Sequence, residues 1–125
     1  MPFEHIIDHG VRCVVVRGSG EGSAHEVADS LHYLLENQSI STDYTFMFVV
    51  DGVTRHPTPD EMWNIVFAFE ILLSRFNGCV AIVASQVGLV TAANLIAYKA
   101  DKKGGRIRVF SSESQAREWL LQMTH

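Results

Sequence analysis

Short apolar runs alternate with longer segments of helical periodicity along the chain. Residues 3–7 (FEHII) and 12–17 (RCVVVR) read as two strands joined by the turn Asp8-His9-Gly10. Gly18-Ser19-Gly20-Glu21-Gly22 breaks the pattern, and Ser23 with Glu26 then forms a capping box. The helix it opens is predicted to reach about Asn37, with Val27, Leu31, Leu34 and Leu35 on its buried face. Residues 45–51 (TFMFVVD) are apolar on both faces, as a central strand covered on both sides must be. Thr58 with Glu61 makes a second capping box, and Pro59 takes the first helical position of a helix predicted to run to about Phe76. Residues 78–85 (GCVAIVAS) predict another central strand, and a third helix covers residues 87 to about 100. After Lys102-Lys103-Gly104-Gly105 come a strand over 106–110, a Ser111-Ser112 turn and an amphipathic helix centred on Trp119. The order β-β-α-β-α-β-α-β-α predicts an α/β fold: a mixed, mainly parallel sheet with right-handed crossovers.

Composition sharpens this picture. The 125 residues predict one domain, spanning 1–125, and 47% apolar with 19% charged residues fits a packed globular chain. The net charge of −4 argues against general nucleic-acid binding. The charge is uneven: residues 1–98 hold 4 Lys/Arg against 11 Asp/Glu, residues 99–125 hold 6 against 3. Lys99, Lys102, Lys103, Arg106 and Arg108 are therefore expected to form a basic cluster. The opening MPFEHIID lacks the marks of a secretory leader, and the most apolar helical stretch, residues 62–73, is too short to span a bilayer. Cys13 and Cys79 each lie in an apolar run, so two buried thiols and a cytoplasmic location are predicted.

Candidate chemistry is sparse. The loop Gly18 to Ser23 sits between strand and helix as phosphate loops do, but Ser23 replaces the third glycine and Glu21 would repel phosphate. His25, Asp29 and His32 share one helical face, expected to be solvated rather than metal-binding; His5, His9, His56 and His125 lack ligand spacing. No Gly-x-Ser-x-Gly elbow is present, and neither cysteine opens a helix. At the strand ends, where α/β folds place ligands, Asp51, Arg55 and His56 form the one group that resembles chemistry. The expectation is no enzymatic activity, no cofactor and no metal.

Surface signals are stronger. Met62, Ile65, Val66, Phe69, Leu72, Leu73 and Phe76 make one core face of the second helix, while Trp63, Phe67 and Ile71 repeat every fourth residue on another side. In the third helix Leu89, Ala92, Ala93 and Ile96 look inward, and Val87, Leu95 and Tyr98 lie elsewhere. Such a second stripe marks either a contact surface or further packing between helices.

The order and spacing of several segments resemble the STAS superfamily, and more closely its SpoIIAA-like branch of anti-sigma-factor antagonists. These are VVDGVT (49–54) followed by a helix with Trp63, CVAIVAS (79–85), and RVFSSESQAREWLL (108–121). The resemblance implies a superhelix of β/α units and a non-catalytic regulatory domain. Its phosphorylatable serine corresponds best to Thr58, which lacks the family's Asp-Ser pair and following glycine; the local sequence predicts a helix cap there. The functional expectation is a cytoplasmic domain that binds another protein or a second copy of itself, as a homodimer, through the second and third helices. The alternative is a small apolar ligand or lipid held at a membrane surface, with the basic cluster attracting an anionic head group.

Overall fold

Period-two alternation along the strands divides the core into two layers. The computed structural model describes residues 3–20, 24–53 and 57–123. Its elements are β1 (Phe3–Asp8), β2 (Cys13–Gly20), α1 (Ala24–Glu36), β3 (Thr45–Val53), α2 (Pro59–Arg75), β4 (Val80–Val83), α3 (Val87–Ala100), β5 (Ile107–Phe110) and α4 (Glu113–Met123). The sheet order is β1-β2-β3-β4-β5, with β1 antiparallel to β2 and the other neighbours parallel. The mixed, mainly parallel α/β architecture expected from the sequence is the one found.

Successive side chains of a strand point to opposite faces. Val14, Val16, Phe46, Phe48, Val80 and Ile82 face one way and build the main core with α1, α2 and α3. Cys13, Val15, Met47, Val49, Ala81 and Val83 face the other way and meet Ala116, Trp119 and Leu120 of α4. Both faces of β2, β3 and β4 are thus apolar because both are covered.

The glycine stretch after β2 differs from its sequence reading as a break, since the strand continues to Gly20. Pairing with β3 slips in register between Arg17 and Ser19. A Cβ on Gly18 would lie 2.8 Å from both the Phe3 ring and Val53, and one on Gly52 would lie 2.5 Å from the Gly18 carbonyl oxygen. Two glycines let the strands close at the slip, where larger residues would hold them apart. Ser23, and with it the first capping box, lies outside the described residues. The second box is present: Glu61 N donates to Thr58 Oγ1 at 3.3 Å and Thr58 N to Glu61 Oε1 at 2.9 Å. The thiols are unequal: Cys13 is buried, but Cys79 is only half-buried because it precedes the first residue of the short strand β4.

Candidate functional site

Helix α2 buries Ile65, Val66, Phe69 and Leu72 against the sheet. Trp63 and Phe67 sit on its outer side with 61% and 64% of their surface exposed, and Ile71 is half-buried. The ridge separates two grooves. Between α2 and α3, Trp63 lines a groove of about 260 Å³ with Met62, Leu95 and Lys99. The Lys99 ammonium lies 4.8 Å from the Trp63 ring centroid, a cation–π contact that leaves the outer edge of the indole free. Between α1 and α2, Phe67 and Ile71 line a groove of about 380 Å³ with Leu31, His32 and Leu35. Leu95 and Trp63 thus line one groove. Val87 and Tyr98 line neither groove and stand on α3 with 84% and 80% of their surface exposed.

The basic cluster does not exist as one patch. Lys99 lies on Trp63, and Lys102 Nζ is 3.5 Å from a Glu70 carboxylate oxygen. Arg106 turns inward and donates to the carbonyl oxygens of Leu73, Phe76 and Gly78, tying the end of α2 to the start of β5. Within β5, Ile107 faces the main core and alternation turns its neighbour Arg108 to the α4 face, where its guanidinium lies 5.5 Å from the Trp119 ring and 5.6 Å from that of Phe110. Arg106 and Arg108, two residues apart, would share a face within one strand; they part because Arg106 lies ahead of β5 and is captured by carbonyls at the end of α2, while Arg108 follows the strand.

The strand-end group is also resolved in part. Asp51 Oδ1 accepts from Ser85 N at 2.6 Å, and its carbonyl oxygen accepts from Gln86 Nε2 at 3.1 Å. Asp51 thereby fastens β3 to the residue that caps α3, a positioning role. Arg55 and His56 lie outside the described residues. Thr58 is exposed at the N-cap of α2 and accepts a backbone hydrogen bond there.

Acid–base and nucleophilic groups are muted by their surroundings. Burial pushes both cysteine thiols up, so neither holds a ready thiolate at neutral pH. Burial pulls His5 down while Ser30 Oγ lies 2.5 Å from its Nε2. His9 is hydrogen-bonded to Tyr44, and His32 lies 3.3 Å from Glu36 on the exposed face of α1. The side chain of His25 is outside the described set, and among the described residues no three His, Cys, Asp or Glu side chains gather as a metal site. No described helix is long and apolar enough to cross a membrane.

One feature was absent from the sequence reading. An apolar cavity of about 90 Å³ lies between the sheet and helices α1, α2 and α3. Its one signal in the sequence is the pair Ala92-Ala93 on the inward face of α3, where small side chains leave space beside large neighbours.

No family model matches the chain, and no curated protein matches it. Solved structures do. One is an uncharacterized protein of the DUF3478 family with a SpoIIAA-like fold from Shewanella loihica PV-4, which superimposes with a TM-score of 0.62 at 13% identity, over 94% of this chain and 91% of that one. Another is the anti-sigma factor antagonist SpoIIAA in its unphosphorylated form, with a TM-score of 0.57 at 15% identity, over 94% of this chain and 96% of that one. The chain has a SpoIIAA-like fold.

Proposed function

We propose that residues 1–125 act as one non-enzymatic regulatory domain of the cytoplasm that works by binding a protein, another chain or a second copy of itself, through the outer faces of α2 and α3. The observation that carries this reading is the exposure of Trp63, Phe67, Leu95, Tyr98 and Val87 on two adjacent helices. Large apolar side chains scattered singly are ordinary, but several on two adjacent helices, with Lys99 and Lys102 nearby, have the make-up of a protein-binding surface. The likeness in fold to an anti-sigma factor antagonist supports a regulatory role. The raised thiols and the positioning role of Asp51 support the absence of catalysis.

Sedimentation velocity of the wild type, Trp63→Asp and Tyr98→Asp tests self-association. Met123→Asp, exposed on α4 beyond the opposite face of the sheet, is the control. The homodimer reading requires a wild-type dimer that both helix-face variants convert to monomer while Met123→Asp does not. A dimer indifferent to Trp63 and Tyr98 would place the interface elsewhere and end it.

A further inference from the structure

The cavity beneath α1, α2 and α3 has a chemistry of its own. Its deep wall is made of Phe48, Ile65, Phe69, Ile82 and Leu89, all buried and all part of the main core. Its outer wall is Phe3, Val27, Val50, Pro57 and Ala92, all half-buried, so this side reaches solvent. Among the described residues, no hydrogen-bonding side chain lines it. Close-packed interiors hold few voids larger than a water molecule, and about 90 Å³ is room for several waters. Water needs two to four polar partners to reside in such a place, and the lining side chains offer none, so the space favours an apolar occupant. The position agrees. The cavity lies at the carboxyl ends of β3 and β4, where Phe48, Val50, Val53 and Ile82 contribute, and open α/β sheets take ligands beyond the carboxyl ends of their strands.

We infer that this cavity is a binding site for the alkyl chain of a single-chain lipid, inserted tail first with its polar end left in water. An enclosed deep wall with one half-exposed side suits a molecule that is apolar at one end and polar at the other. A charged group would find no partner among the described lining residues. The volume takes the end of the chain rather than its full length. The site shares no residue with the ridge of Trp63, Phe67 and Ile71, so it stands or falls separately from the protein-binding reading.

The test is a titration of the protein, labelled at Ile, Leu and Val methyl groups, with octanoate, followed by two-dimensional NMR. Saturable shifts at Ile65, Ile82, Leu89 and Ile96 are expected, with Ile71 and Leu95 unmoved. Ala92→Leu fills the outer wall and should weaken octanoate binding about tenfold or more, the equivalent of roughly two methylene groups left unburied. Val50→Phe serves the same purpose if Ala92→Leu does not fold, and Phe67→Asp should bind octanoate as the wild type does. No saturable shift, or shifts confined to Ile71 and Leu95, would overturn the proposal, as would unchanged affinity in a folded filling variant. Loss of self-association in Phe67→Asp with octanoate binding intact would separate the two sites.

Discussion

Replacing Phe67 with aspartate asks whether the α2 ridge is surface or hidden core. The ring is 64% exposed, so about a third of its area is covered within the chain, where it lines the groove with Ile71, His32 and Leu35. Taking about 200 Å² for an aromatic side chain and about 25 cal/mol per Å², the covered share contributes about 2 kcal/mol to folding and the free share about 3 kcal/mol to any partner that buries it. The first figure is an upper bound, because the unfolded chain already hides some apolar surface. Helix propensity adds little, since Phe and Asp rank close together. Urea denaturation of Phe67→Asp should therefore show a loss of at most about 2 kcal/mol, against the roughly 3–5 kcal/mol that removal of a core Phe costs. Association should weaken by a factor of roughly a hundred or more, and further if a carboxylate is desolvated at the contact. Equilibrium sedimentation over a concentration series reads the second quantity. A loss of stability above about 3 kcal/mol in a protein that is monomeric from the start would mean that the ridge is core, and the argument from exposure would fail.

Three further outcomes follow from local chemistry. Thr58→Ala removes the side-chain half of the α2 capping box and should cost about 1 kcal/mol in denaturant unfolding, with Thr58→Ser restoring most of it. Asp101 is buried, and its Oδ2 accepts from Arg106 N at 2.7 Å and Ile107 N at 2.9 Å. Asp101→Ala should therefore cost about 2–4 kcal/mol, since two backbone donors at the start of β5 lose their acceptor, whereas Asp101→Asn, which keeps an oxygen there, should cost less. Glu113 receives two hydrogen bonds from the Arg17 guanidinium, at 2.6 and 2.8 Å, and these hold its carboxyl below its ordinary value of 4.5. A carboxyl that is more acidic folded than unfolded stabilises the fold above its unfolded pKa, and that contribution is lost as pH falls through the folded value. Both side chains are more than a third exposed, so the contribution is at most about 1 kcal/mol. Glu113→Gln should show the lower stability already at pH 7 and a shallower decline between pH 5 and pH 3; an unchanged acid limb would show that the pair contributes nothing.

The parts of this fold that local chemistry dictates were legible in the sequence. The Thr58–Glu61 box and Pro59 set the start of α2, and the apolar runs around Phe46 and Ile82 announced strands covered on both faces. The four-residue spacing of Trp63 and Phe67 marked a second stripe but left open whether it faced solvent or another helix; the structure exposes both rings. What escaped depends on distant partners. Arg106 is captured by carbonyls of Leu73, Phe76 and Gly78, 28 to 33 residues away, so the basic run 99–108 reads as one patch in sequence and is spread over four separate interactions in space. Asp51 resembled a chemical group until the backbone of Ser85 met it. The extension of β2 through its glycines required knowing that Gly52 would lie opposite. The cavity is a shortfall in packing among side chains from six elements, and no single segment carries its sign.

The sheet places its five strands in the order in which they occur along the chain. Each strand hydrogen-bonds to the one made before it, and each closure spans a single hairpin turn or helical crossover. Chain entropy lost on closing such short segments is small, so the topology has low contact order for a parallel sheet and suits rapid folding. It also suits vectorial assembly on the ribosome, where N-terminal segments emerge first at about 5–20 residues per second. The hairpin β1–β2 offers a template, and each later strand docks on a finished edge. The exception is α4. Until it arrives, Met47, Val49, Ala81 and Val83 face water, and the nascent sheet is an attractive client for a chaperone.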